Sequence, residues 1–82
     1  MNGRRAEDHL KEIALGLAVG KSTAQIAQEI EMPYRSVWLR ANTVRHQVAE
    51  ALEDSTLLDL QRATWVQAGR RWCELHGMAV PE

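Results

Sequence analysis

At 82 residues the chain is sized for one small domain, too short for the several βαβ units of about 30 residues each that a nucleotide hydrolase needs. A single cysteine, Cys73, rules out an intramolecular disulfide framework, no apolar run approaches the roughly 18 residues of a membrane span, and "MNGRRAEDHLKE" lacks the apolar core of a signal peptide, so a reduced, cytoplasmic protein is expected. The net charge of −1 argues against a general nucleic-acid coat, yet residues 33–48 hold Arg35, Arg40 and Arg45 and no acid, for +3, between an N-terminal stretch of −1 and a C-terminal stretch of −3, and that asymmetry points to one anion-facing surface.

No stretch alternates β-branched or aromatic residues with polar ones, so the expected fold is all-α. The first helix is expected over about Ala6–Val19, with Leu10, Ile13, Ala14 and Leu17 at helical spacing and Glu7 and Asp8 in its first turn, where the helix dipole favours negative charge. "LGLAVGKST" superficially resembles a phosphate-binding loop, but only three residues separate Gly16 from Gly20 and the preceding residues have the rhythm of a helix. Gly20 is instead placed as a left-handed helix stop, and Ser22 with Gln25 as the capping box of a second helix over about Thr23–Ile30.

Pro33 cannot continue a helix from behind but is well suited to open one, so a third helix is expected from Tyr34 to about Leu52. Val37, Ala41, Val44 and Val48 form one narrow apolar stripe. Stepping about 100° per residue puts Arg35, Leu39, Asn42 and His46 near the opposite side, with Trp38 and Arg45 on a flank. "LEDST" breaks the pattern, and Thr56 with Asp59 is a candidate capping box for a fourth helix running to about His76, stopped by Gly77 and Pro81. Leu58, Trp65, Trp72 and Leu75, with small Ala68 and Gly69 between them, fall near one stripe at near-heptad spacing.

A short helix with Ala27 at its middle, a tight turn and a basic second helix describe a helix-turn-helix, with Ile26, Ile30, Met32 and Val37 filling the wedge that fixes the crossing. "LGLAVGKSTAQIAQEIEMPYRSVWLRANTVRHQVAEAL" resembles the four-helix DNA-binding domain of LuxR/GerE-type regulators and, more distantly, sigma-factor region 4, whose pattern is matched at Gly20, Ile26, Ala27, Ile30, Met32, Ser36 and Val37. Gln25 stands where that pattern has Glu, Pro33 where it has Ser, and the fourth helix reads as about twice the family length. The resemblance implies base reading in the major groove by the exposed half of the third helix, at Tyr34, Arg35, Trp38, Leu39 and Asn42. Arginine pairs with guanine O6/N7 and asparagine with adenine, which fits Arg35 and Asn42 independently. Lys21, Ser22, Thr23, Arg40 and Arg45 are read as phosphate contacts.

Competing readings stand beside these. Three arginines on a helix are often a solvated face, and Trp38 reads more readily as a packing residue than as a thymine contact. Leu58, Trp65, Ala68, Gly69, Trp72 and Leu75 are expected to form a dimer interface, giving a domain with DNA-binding helices over 1–55 and a long C-terminal dimerisation helix over 56–77. Cys73 and His76 are too few to hold zinc, His9 and His46 read as surface residues, and no nucleophile–base set suggests an enzyme, so no metal, cofactor or small-molecule ligand is expected. The expectation is a homodimeric, sequence-specific regulator of double-stranded DNA, most simply a repressor of bacterial, plasmid or phage origin. A protein-interaction module gripping another transcription protein, and a DNA-packaging or replication accessory, remain open.

Overall fold

A computed structural model describes residues 2–59 and 61–81, and side-chain surroundings from His9 onward. These residues form four helices and no strand: α1 (Asn2–Ala18), α2 (Thr23–Glu29), α3 (Tyr34–Leu52) and α4 (Arg62–Leu75), with a short 3₁₀ turn at Ser55–Leu58. None of these helices is long and apolar enough to cross a membrane.

Local chemistry sets most of the boundaries. Gly20 takes φ +89°, the left-handed conformation that ends α1, and its N–H donates to the Leu17 carbonyl. The Ser22 hydroxyl accepts the Gln25 backbone N–H at 3.1 Å, which caps α2. Pro33 is the N-cap of α3, one position earlier than the first-turn role read from the sequence, and α3 runs unbroken to Leu52, where Glu53 enters the left-handed region at φ +52°. The α1 helix begins at Asn2, four residues before the expected start, so Glu7 and Asp8 lie beyond its first turn.

The fourth helix departs further from expectation. The Thr56–Asp59 capping box does not form, because the Asp54 carboxylate takes the Thr56 N–H at 3.1 Å and the Thr56 hydroxyl at 2.5 Å, closing a single 3₁₀ turn. The chain is extended at Asp59, and α4 starts only at Arg62. A preceding acid captures the threonine that was to start the helix.

One core joins all four helices. Ile13, Ala14 and Leu17 of α1, Ile26 and Ala27 of α2, the Val37/Ala41/Val44/Val48 stripe of α3, and Trp72 and Cys73 of α4 are all buried in a single cluster. Burial pushes the Cys73 thiol pKa up, so it stays a neutral apolar filler. At the centre of the α1–α4 contact is Gly69, where an added Cβ would lie 2.6 Å from both the Ala14 carbonyl oxygen and the Ala18 nitrogen. Only a residue without a side chain lets the two backbones approach this closely.

That contact corrects the expected dimer stripe. Ala68, Gly69 and Trp72 are buried inside the chain's own core, and Trp65 is half-buried against it, leaving only Leu58 and Leu75 of the stripe exposed. The near-heptad spacing is real, but the partner it seats is α1 of the same chain. The Trp72 indole N–H donates to the Gln47 side-chain oxygen at 2.8 Å, and its ring stacks on His76 with centroids 3.7 Å apart.

Gly69→Ala tests this packing because two effects oppose. Helix propensity favours alanine by about 1 kcal/mol, whereas overpacking against two backbones costs more. The variant is expected to be net destabilised by roughly 2 kcal/mol, a fall of about 10 °C in thermal midpoint. An unchanged or raised midpoint in calorimetry would place the two helices further apart than described.

Candidate nucleic-acid interface

The α2–α3 connection is short and tightly bonded. The Ile30 N–H donates to the Ile26 carbonyl and the Met32 N–H to the Ala27 carbonyl, both at 3.0 Å. Glu31 between them takes φ +55°, a conformation costing a non-glycine residue about 1–2 kcal/mol. Ile30 and Met32 pack, half-buried, against the core, so the turn is held by both hydrogen bonds and apolar contacts. Beyond it the first two turns of α3 bury Val37 in the core and turn their other face outward: Tyr34 is 53%, Trp38 39% and Leu39 54% exposed, and Arg35 is exposed with them.

The basic block does not turn outward as a whole. Arg45 is only 3% exposed. Its guanidinium donates to the Leu58 carbonyl at 2.7 Å, to the Asp59 carbonyl at 2.9 Å and to the side-chain oxygen of Asn42, and it lies 4.1 Å over the centre of the Trp65 ring. Burial lowers its pKa from the ordinary arginine value, opposed by the Asp59 carboxylate. The phosphate contact expected of Arg45 is thus replaced by a structural clamp that joins α3, the 58–59 segment and α4.

Asn42 is drawn in with it. Besides accepting from Arg45, its amide nitrogen donates to the Trp38 carbonyl at 2.9 Å, so both ends of the amide expected to pair with adenine are engaged within the chain. Arg40 is half-buried, with one nitrogen on the Ser36 carbonyl at 3.3 Å. Lys21 is ion-paired with Glu29 at 2.6 Å, an exposed contact that a phosphate can replace at little cost.

The remaining candidates come together. A cleft of about 290 Å³ opens where α1 ends and α2, α3 and α4 begin. Lys21, Ser22 and Thr23 line it from α2 and the segment before it, Tyr34 and Trp38 from α3, and Arg62, Trp65 and Val66 from α4. The presumed phosphate contacts of α2 and two of the presumed base-reading residues of α3 therefore share one surface. Arg35 and Leu39 lie on exposed α3 nearby in sequence, outside the cleft lining.

Arg62 and Val66 went unassigned in the sequence, and Trp65 was assigned to a dimer. Arg62 reaches across to donate to the Gly20 carbonyl at 2.9 Å, a contact between residues 42 positions apart that no local pattern reveals.

Comparison with known proteins finds no match: no family model, curated protein or solved structure is significantly similar to this chain.

The two kinds of arginine on α3 separate in a stability measurement. Arg45→Ala leaves the Leu58 carbonyl and the Asn42 oxygen without their donor, while the Asp59 carbonyl keeps the Thr64 hydroxyl, and is expected to cost about 3 kcal/mol in urea unfolding. Arg35→Ala, on the open face, is expected to stay within about 0.5 kcal/mol of the parent protein. Equal effects would contradict the division into an interior and an outward arginine.

Proposed function

We propose that the chain is a sequence-specific double-stranded DNA-binding protein, a small transcription regulator that inserts the N-terminal half of α3 into the major groove. The observation that carries this reading is the shared surface formed by Lys21, Ser22 and Thr23 with Tyr34 and Trp38, at the foot of a helix whose first turns expose one face. A groove about 12 Å wide admits one helix, and a cation with hydroxyls beside that helix is the chemistry that seats flanking phosphates.

Within this reading Arg35 is the base-reading residue, through two hydrogen bonds to guanine, and Tyr34, Trp38 and Leu39 offer apolar contact to thymine methyls. Lys21, Ser22, Thr23 and Arg40 contact phosphates, and Arg62 joins them from α4. Asn42 and Arg45 act from behind, holding the helix that reads. The reading is of one DNA-binding head, because α4 seats most of its apolar stripe on α1. Repression by occupying a promoter is the simplest action such a head performs.

A second reading rests on the same face. Three of its four most outward residues, Tyr34, Trp38 and Leu39, are apolar or aromatic. A protein-docking module presents such a patch to a transcription protein, and the two readings differ in their response to salt.

Selection of binding sites from a random duplex pool, followed by anisotropy titration, decides between them. Three cations on phosphates give a logarithmic salt slope of about −2.7, a loss of roughly 40-fold in affinity between 50 and 200 mM salt. Arg35→Ala is expected to relax the preference at one guanine by about 1–3 kcal/mol, whereas Lys21→Gln weakens all sequences alike and shallows the slope by about one unit. If no sequence is enriched and binding stays at non-specific strength, the DNA reading fails and the apolar face becomes a protein-docking surface.

A further inference from the structure

The cleft at the foot of α3 has a chemistry that duplex binding leaves unexplained. Two of the chain's three tryptophans, Trp38 and Trp65, line it together with Tyr34, although a phosphate-seating surface needs no aromatic walls. Two cations, Lys21 and Arg62, stand with them, and among the described residues no carboxylate lines the cleft, Glu29, the exposed ion-pair partner of Lys21, lying outside the lining. Clefts elsewhere on the described surface do carry acids: Asp54 and Glu74 in the large one beside α4, Glu50 in one on α3, and Glu12 and Glu29 between α1 and α2.

Two of the walls, Trp65 and Arg62, are also held in advance. Arg45 lies over the Trp65 ring and is itself locked to the Leu58 and Asp59 carbonyls, while Arg62 is held on the Gly20 carbonyl. Ordering these side chains therefore costs a ligand little. At about 290 Å³ the cleft lies at the small end of the range for binding pockets.

We propose that this cleft binds a small planar aromatic carboxylate, its ring among Trp38, Trp65 and Tyr34 and its carboxylate on Lys21 and Arg62. Aromatic faces and edges take a ring in stacked or edge-to-face contact, and the two cations give charge-assisted hydrogen bonds to the acid. Lys21 exchanges its exposed bond to Glu29 for the ligand. The cleft shares Lys21, Ser22, Thr23, Tyr34 and Trp38 with the DNA surface, so an occupied cleft competes with the duplex and makes the head ligand-responsive. That last consequence rests on the DNA reading; ligand binding does not, and it is measured without DNA so that the two can fail separately.

The protein's own tryptophans serve as the probe. Trp72 is buried, bonded to Gln47 and outside the cleft, so its indole N–H signal is an internal reference for those of Trp38 and Trp65 in a nitrogen–proton correlation spectrum. Benzoate and indole-3-acetate are titrated, with benzamide and indole-3-acetamide as uncharged counterparts. At least one acid is expected to move the Trp38 and Trp65 signals and not Trp72, with a dissociation constant of about 1 mM for so small a ligand. Its amide should bind about tenfold more weakly, and Arg62→Gln and Lys21→Gln should each weaken the acid by a similar factor. Lys21→Gln alters only an exposed ion pair and keeps the test valid should Arg62→Gln loosen the fold. Equal binding of acid and amide, equal movement of Trp72, or no shift with either acid up to about 10 mM would overturn the proposal.

Discussion

A charged side chain in the interior organises this small domain. Arg45 meets two backbone carbonyls, one amide oxygen and one indole ring, and these belong to three separate parts of the chain. An uncompensated buried guanidinium would cost several kcal/mol, so the 58–59 segment must come to it, and with that segment come the start of α4 and Trp65. Placing α4 in this way brings Gly69 onto α1, which closes the core, and brings Arg62 to Gly20, which closes one side of the cleft. The exposed face of α3 and the core thus share an origin: the charge that turns inward at Arg45 fixes the frame from which Tyr34, Arg35, Trp38 and Leu39 project.

The same interaction redistributes the charge seen in the sequence. The block at 33–48 carries +3, but one of those charges is interior and another, Arg40, is half-buried on its own helix. What faces outward from the N-terminal half of α3 is mainly Arg35 with three large apolar or aromatic neighbours. Lys21 and Arg62 supply the rest of the positive potential from neighbouring helices. A modest positive potential and an aromatic surface follow, which is the basis for proposing both a duplex and an aromatic anion as occupants of this face.

Much of the fold is legible in the residues because the causes are local. Gly20 and Ser22 act within four positions of themselves, and the Val37–Val48 stripe shows its period directly. Three features are not legible, each for a physical reason. Arginine is exposed by default, and the carbonyls that draw Arg45 inward lie 13 and 14 residues away. Heptad-like spacing on α4 is the same whether its partner is another copy or α1, so the stripe was visible and its destination was not. Asp54 and Thr56 compete for the role of helix start, and the 3₁₀ turn that results splits the expected long helix. For the site, Arg35 and Leu39 are found on the open face as their spacing implies, with Tyr34 and Trp38 exposed beside them, whereas Asn42 and Arg45 are claimed by one another.

The central claim, that the exposed face of the N-terminal half of α3 and the adjoining start of α2 meet the duplex, is tested most directly by mapping backbone amide shifts as duplex DNA is added to the labelled protein. The account predicts shifts concentrated at Lys21–Thr23 and Tyr34–Leu39, fading as salt is raised, with the Leu52–Leu57 and Gln67–Leu75 side of the domain unchanged. Shifts centred on that opposite side, or spread evenly over the chain, would contradict it.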